Sequence, residues 1–226
     1  MSRAAPASYN DAMNSSDPLD SFLAKWRARW PEWELLSVFV PAPQRATVAA
    51  WFTLLQELGD AAWSGREPAP GLAKLAWWQE ELAGWGKGAR RHPLGAPLHR
   101  LDAPWGELGR ALASLPATRD EAADASLEGF ARAVLACEAA LFGAGSASPA
   151  ALAAMVGDLQ LARVMGQGGA LPAPAAAGRL PAGLSLPRRL QLAAARERLR
   201  VQAGGGSAIR PATPRLLLAG WRAARG

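Results

Sequence analysis

Apolar residues in this chain return every three or four positions rather than every second one, and this periodicity restricts the fold more than any other feature. Leu19, Phe22, Leu23, Trp26 and Trp30 form one such stripe, stopped by Pro31. Val48, Trp51, Phe52, Leu55, Leu58 and Ala62 form a second. Leu72, Leu75, Trp78, Leu82 and Trp85 form a third, beyond the loop SGREPAPG. Thr118-Arg119-Asp120-Glu121 has the capping-box pattern, and the stripe behind it, Leu127, Phe130, Val134, Cys137 and Leu141, runs to Gly143. Ser148-Pro149 opens a further helix through Leu152, Met155, Val156, Leu159 and Val164, which closes at GQGG. Shorter helices are expected after His92-Pro93 and Ala103-Pro104, from Pro187 through Leu190 to Leu199, and over Arg215 to Arg222. Ala, Leu and Arg dominate while β-branched residues are scarce, so the expected class is all-α.

Nothing divides these helices into two groups. The chain has 226 residues, half of them apolar, which suits one core and therefore one domain over 18–226, preceded by a disordered tail over 1–17. GGGS at Gly204 to Ser207 reads as a flexible break inside that domain. The lone Cys137 cannot form an intramolecular disulfide, and no apolar run approaches the roughly 20 residues of a bilayer span. The expectation is a cytoplasmic protein, with peripheral contact at the inner membrane surface left open. A net charge of +6 suits an anionic partner such as a diphosphate, an acidic membrane surface or a nucleic acid, or simply a solvated arginine-rich face. The arginines lack the aromatic interleaving of a single-strand binding platform, which sets nucleic acid aside.

Three segments, in order, resemble the squalene/phytoene synthase family, whose members condense two prenyl diphosphates head to head. Lys74-Leu75-Ala76-Trp77-Trp78-Gln79-Glu80-Glu81-Leu82 resembles that family's basic, apolar, Trp-Trp, acidic helix, and His92-Pro93 resembles the His-Pro opening its next helix. Arg45 through Trp63 lies where the family has an arginine followed by an aspartate-rich R..DD..D helix; the aligned residues here are Gln56, Gly59, Asp60 and Trp63, and only Asp60 matches an aspartate. VGDLQLARVMGQG and GRLPAGL resemble the family's G-x-x-LQL-x-N-x-x-RD helix and its GR-x-YLP. Gly157, Leu159, Gln160, Leu161, Gly178, Arg179 and Pro181 match, whereas Arg163, Gly166 and Gln167 replace Asn, Arg and Asp.

The resemblance implies a helical bundle of the isoprenoid synthase type with a central cavity lined by Gln56, Asp60, Gln160, Arg163, Gln167, Arg45 and Arg179. It also shows what this chain changes. Ionising an allylic diphosphate needs Mg²⁺ held by clustered carboxylates. One aspartate on the first motif helix and Gln167 on the second make a poor cage, and Glu57, Asp158, Glu80 and Glu81 do not rebuild a pair four residues apart on one face. The expectation is therefore no metal, no cofactor and no confident catalytic residue. The chain reads as a divergent, non-catalytic relative that binds a protein partner or an isoprenoid or lipid ligand. Members lacking the aspartates look like a mitochondrial factor for respiratory complex I assembly, which favours a partner-binding role. The alternatives are an active prenyl transferase with an atypical Mg site and an isoprenoid carrier.

Each singled-out residue also has a structural explanation. Trp77 and Trp78 at helical spacing suit core packing, His92 and His99 form no ligand cluster, and Cys137 sits on an apolar stripe as a small hydrophobe. Asp60 suits a surface ion pair as well as it suits a relict metal ligand. The glycines of GQGGAL follow no strand, which excludes a dinucleotide fingerprint.

Overall fold

The computed structural model describes residues 17–119, 124–145, 147–173, 178–205 and 214–226, and every regular element among them is a helix. The chain is an all-α helical bundle. Helix α1 (Pro18–Arg29) begins where the Asp17 carboxylate accepts the Leu19 N–H at 3.0 Å, and it ends one residue before Pro31's ring would block a further turn. A four-residue α2 (Trp33–Leu36) and 3-10 turns at Ser37–Phe39 and Ala42–Gln44 follow. None of these was anticipated, because one turn is too short to display a period.

The remaining helices are α3 (Arg45–Trp63), α4 (Pro68–Trp85), α5 (Gly95–Leu98), α6 (Trp105–Ala111), α7 (Asp124–Phe142), α8 (Pro149–Gln167), α9 (Leu186–Ala203) and α10 (Pro214–Arg225). Helix α8 starts as its sequence suggests, with the Ser148 hydroxyl accepting the Ala151 N–H at 3.1 Å, and it stops at Gly168, whose φ of 68° suits a residue without Cβ. Thr118 departs from expectation. It closes a 3-10 stretch (Leu112–Thr118) continuing α6, and its hydroxyl donates to the Leu115 carbonyl while accepting from Trp63 Nε1. Asp120 and Glu121 of the capping-box pattern, residues 1–16 of the tail and Ser207 of the GGGS break lie outside the described residues.

Helix α3 is the centre of the bundle, packing against α1, α4, α5 and α8. Twelve of its 19 residues are buried, as expected of a helix that is apolar around most of its circumference. One hydrophobic core runs through the fold. Trp51, Leu75, Trp78, Phe130, Val134 and Leu159 belong to it, as their stripes suggest, and Leu55 packs on its edge. Gly166 lies where α8 passes α3, and a Cβ there would meet Trp63 Cβ at 3.4 Å, an ordinary contact distance.

Candidate functional site

Helices α1, α3, α8 and α9, with Phe130 of α7, line a partly open cavity of about 70 Å³. Its apolar wall includes Trp26, Phe52 and Leu159, and its polar wall is made by Arg29, Gln56, Asp60, Asp158, Arg188 and Gln191. The spacing places Gln56 and Asp60 one turn apart on one face of α3, and the structure turns that face to the cavity. Asp60 is ion-paired there, at 2.7 Å from Arg29 Nη1 and 3.4 Å from Lys25 Nζ. One turn away, the buried Glu57 carboxylate is held between Lys25 at 2.9 Å and Lys74 at 2.7 Å. Burial alone would raise the Glu57 pKa, but the two ammonium groups outweigh it and hold the carboxylate below its usual range.

The opposite wall differs in register from the sequence expectation. Helix α8 turns Asp158, Leu159, Ala162 and Met165 to the cavity. Gln160 instead lines a surface cleft beside Glu128 and Arg132. Arg163 and Gln167 reach back to the 3-10 stretch, donating to the Thr118 and Arg119 carbonyls at 3.1 and 2.7 Å. Arg119 in turn donates to the Ala62, Ser64 and Gly65 carbonyls at the C-terminal end of α3, so these three side chains clamp a corner of the fold. Arg45 donates to the Val40 carbonyl at 3.1 Å, and Arg179 donates to the Gly226 carbonyl at 2.8 Å; neither lines the cavity.

The cavity's main polar feature was missed by the sequence reading. Arg188, at 2% exposure, pairs with the fully buried Glu138 of α7 and with Asp158 of α8. The Glu138 carboxylate also accepts Trp51 Nε1–H and the Ser185 hydroxyl, each at 3.0 Å, and the Arg188 guanidinium lies over the Phe52 ring at 5.0 Å. Two acids thus share one cation. Burial, with the Glu138 charge added, raises the Asp158 pKa despite Arg188, whereas both acids hold Arg188 firmly protonated against its own burial. Gln191, one turn beyond Arg188, accepts Trp33 Nε1–H at 2.7 Å. Farther along α9, Arg198 makes a buried two-point pair with Glu32 at 2.9 and 2.5 Å. The missed signal was opposite charges on two largely apolar helix faces: Arg188 lies one turn before Leu192, and Glu138 lies between Val134 and Leu141.

The most specific motif has a structural use away from the cavity. Glu81, buried in α4, accepts the Arg91 N–H at 2.7 Å, the His92 N–H at 2.8 Å and Trp85 Nε1–H at 2.9 Å, and pairs with Arg91 Nε at 3.0 Å. Burial pushes its pKa up, but these donors overcome that and bring it down to about 2. The His92 ring lies 4.6 Å from both Phe22 and Trp78, and its Nδ1 accepts the Leu94 N–H at 3.1 Å. Burial lowers its pKa, which keeps that nitrogen available as an acceptor. The WWxxE and His-Pro elements together fold one corner. Cys137 is fully buried, and burial raises its thiol pKa, consistent with a small hydrophobe in the core.

Among the described residues, no three His, Cys, Asp or Glu side chains converge as a metal site. Comparison with protein-family models, with curated proteins and with solved structures finds no match.

Proposed function

We propose that the chain is a non-catalytic protein related to the squalene/phytoene synthases, which acts by binding a partner at its surface. The observation that carries this reading is the commitment of the cavity's acids to cations of the same chain: Asp60 to Arg29 and Lys25, and Asp158 to Arg188. A synthase needs such carboxylates free to gather Mg²⁺ around a diphosphate. Here Arg29 and Arg188 supply the positive charge that these two acids face. Size points the same way. A cavity of about 70 Å³ falls well below the roughly 300–1,000 Å³ of ordinary ligand pockets, which disfavours both a prenyl substrate and a carried isoprenoid. Incubation of the purified protein with farnesyl and geranylgeranyl diphosphates plus Mg²⁺ tests the reading, and no condensation product is expected. A head-to-head product formed by the wild type and lost in Asp60→Ala would restore the prenyl transferase.

A further inference from the structure

The outer face of α10 combines exposed apolar side chains with a one-sided charge. The helix is seated by Leu216, Gly220 and Ala223, all buried. Gly220 allows the close approach, because a Cβ there would stand 2.6 Å from Leu36 Cδ2 and 2.7 Å from Phe39 Cε2. At about 100° per residue, Leu217, Trp221 and Leu218 then occupy one contiguous outward arc. They are 41%, 44% and 44% exposed, and Val38, in the 3-10 turn that α10 packs against, is 59% exposed. Exposed apolar groups grouped on one helix face mark an interaction surface.

Charge selects the partner. Helix α10 carries Arg215, Arg222 and Arg225 and no acid; Arg215 and Arg222 lie at the edge of the apolar arc, while Arg225 falls within it, its guanidinium over the Trp221 ring at 4.1 Å. The asymmetry extends beyond the helix: after Asp158 the chain has eleven arginines and a single acid, Glu197, although Arg188 and Arg198 are buried in ion pairs with earlier acids. An aromatic and two leucines bordered by arginines are the side chains of a helix lying in a bilayer interface. There the apolar groups enter the acyl boundary while the guanidinium groups meet lipid phosphates. No described helix is long and apolar enough to cross a membrane, so such contact is peripheral.

We propose that the α10 face, centred on Leu217, Leu218 and Trp221, docks the protein on an anionic lipid bilayer. This rests on the surface alone and stands whether or not the interior is catalytic. The experiment is flotation of the full chain with phosphatidylcholine vesicles, with and without phosphatidylglycerol. Binding is expected only with phosphatidylglycerol and should weaken as salt rises. Leu218→Asp and Trp221→Ala should each lower partitioning by about tenfold or more, and Arg222→Ala by about fivefold. Because these side chains are exposed, each variant should keep the wild-type melting temperature. The proposal is overturned by absent binding, by equal binding to both vesicle types, or by wild-type binding in Leu218→Asp. It is likewise overturned if the wild type forms a dimer that this substitution dissolves while vesicles go unbound.

Discussion

Two carboxylates, the buried Glu81 and the largely buried Asp158, are held in opposite ways, and the contrast separates what is local in this fold from what is global. Glu81 accepts from groups 4, 10 and 11 residues away, and these donors hold its pKa at about 2. Asp158 shares Arg188, 30 residues distant, with a second acid, and its pKa is raised. One carboxylate is over-supplied with donors and the other competes for a cation. The first stabilises a corner when ionised. The second closes the polar end of the cavity, where burial and the Glu138 charge work against its ionised form while Arg188 supports it.

The largest effect should come from removing the shared cation. Arg188→Met leaves Glu138 and Asp158 buried without a counter-charge, and a loss of about 3–5 kcal/mol is expected in chemical denaturation. Combined with Asp158→Asn, the loss should be smaller than the sum of the two single effects, since the partners are in contact. Additivity would show that the triad is not a unit.

Next in size is Glu81→Gln, which keeps an acceptor oxygen but removes the charge that the two loop N–H groups and Arg91 address. About 2 kcal/mol is expected. The pH dependence fixes the sign. The folded pKa is depressed, so the contribution is present above the ordinary value of 4.5 and is lost as pH falls toward about 2. The wild type should therefore lose more stability than Glu81→Gln over that interval, and parallel acid-denaturation curves would break the assignment.

The smallest effect sharpens the comparison. The folded pKa of Asp158 is raised, so its contribution is present below the ordinary value of 3.8 and is lost as pH rises through the folded value. At neutral pH, Asp158→Asn should change stability by less than about 1 kcal/mol, in either direction. Denaturation midpoints measured side by side should rank it well below Glu81→Gln. The reverse ranking would mean that the Asp158 charge is needed.

The long helices were legible because each shows its period several times over: Val48 to Ala62 and Leu127 to Leu141 needed no tertiary information. Helix α2 and the 3-10 stretch Leu112–Thr118 were not legible, since neither repeats an apolar stripe. On the cavity, the four-residue spacing of Gln56 and Asp60 sufficed for one wall. The register of α8 did not follow from its motif: rotating the helix by one position exchanges Gln160 and Arg163 for Leu159 and Ala162. The triad was hidden for a different reason. Arg188 meets Glu138 only after α7, α8 and α9 have docked, so sequence alone shows two charges out of place and cannot say that they meet.

The central claim is that the cavity acids are already neutralised from within, and calorimetric titration of Mg²⁺ into the full chain tests it most directly. The account predicts no binding in the micromolar range, with identical traces for the wild type and Asp60→Ala. Micromolar Mg²⁺ binding that disappears in Asp60→Ala would show that this carboxylate is free to take a metal, and would contradict the account.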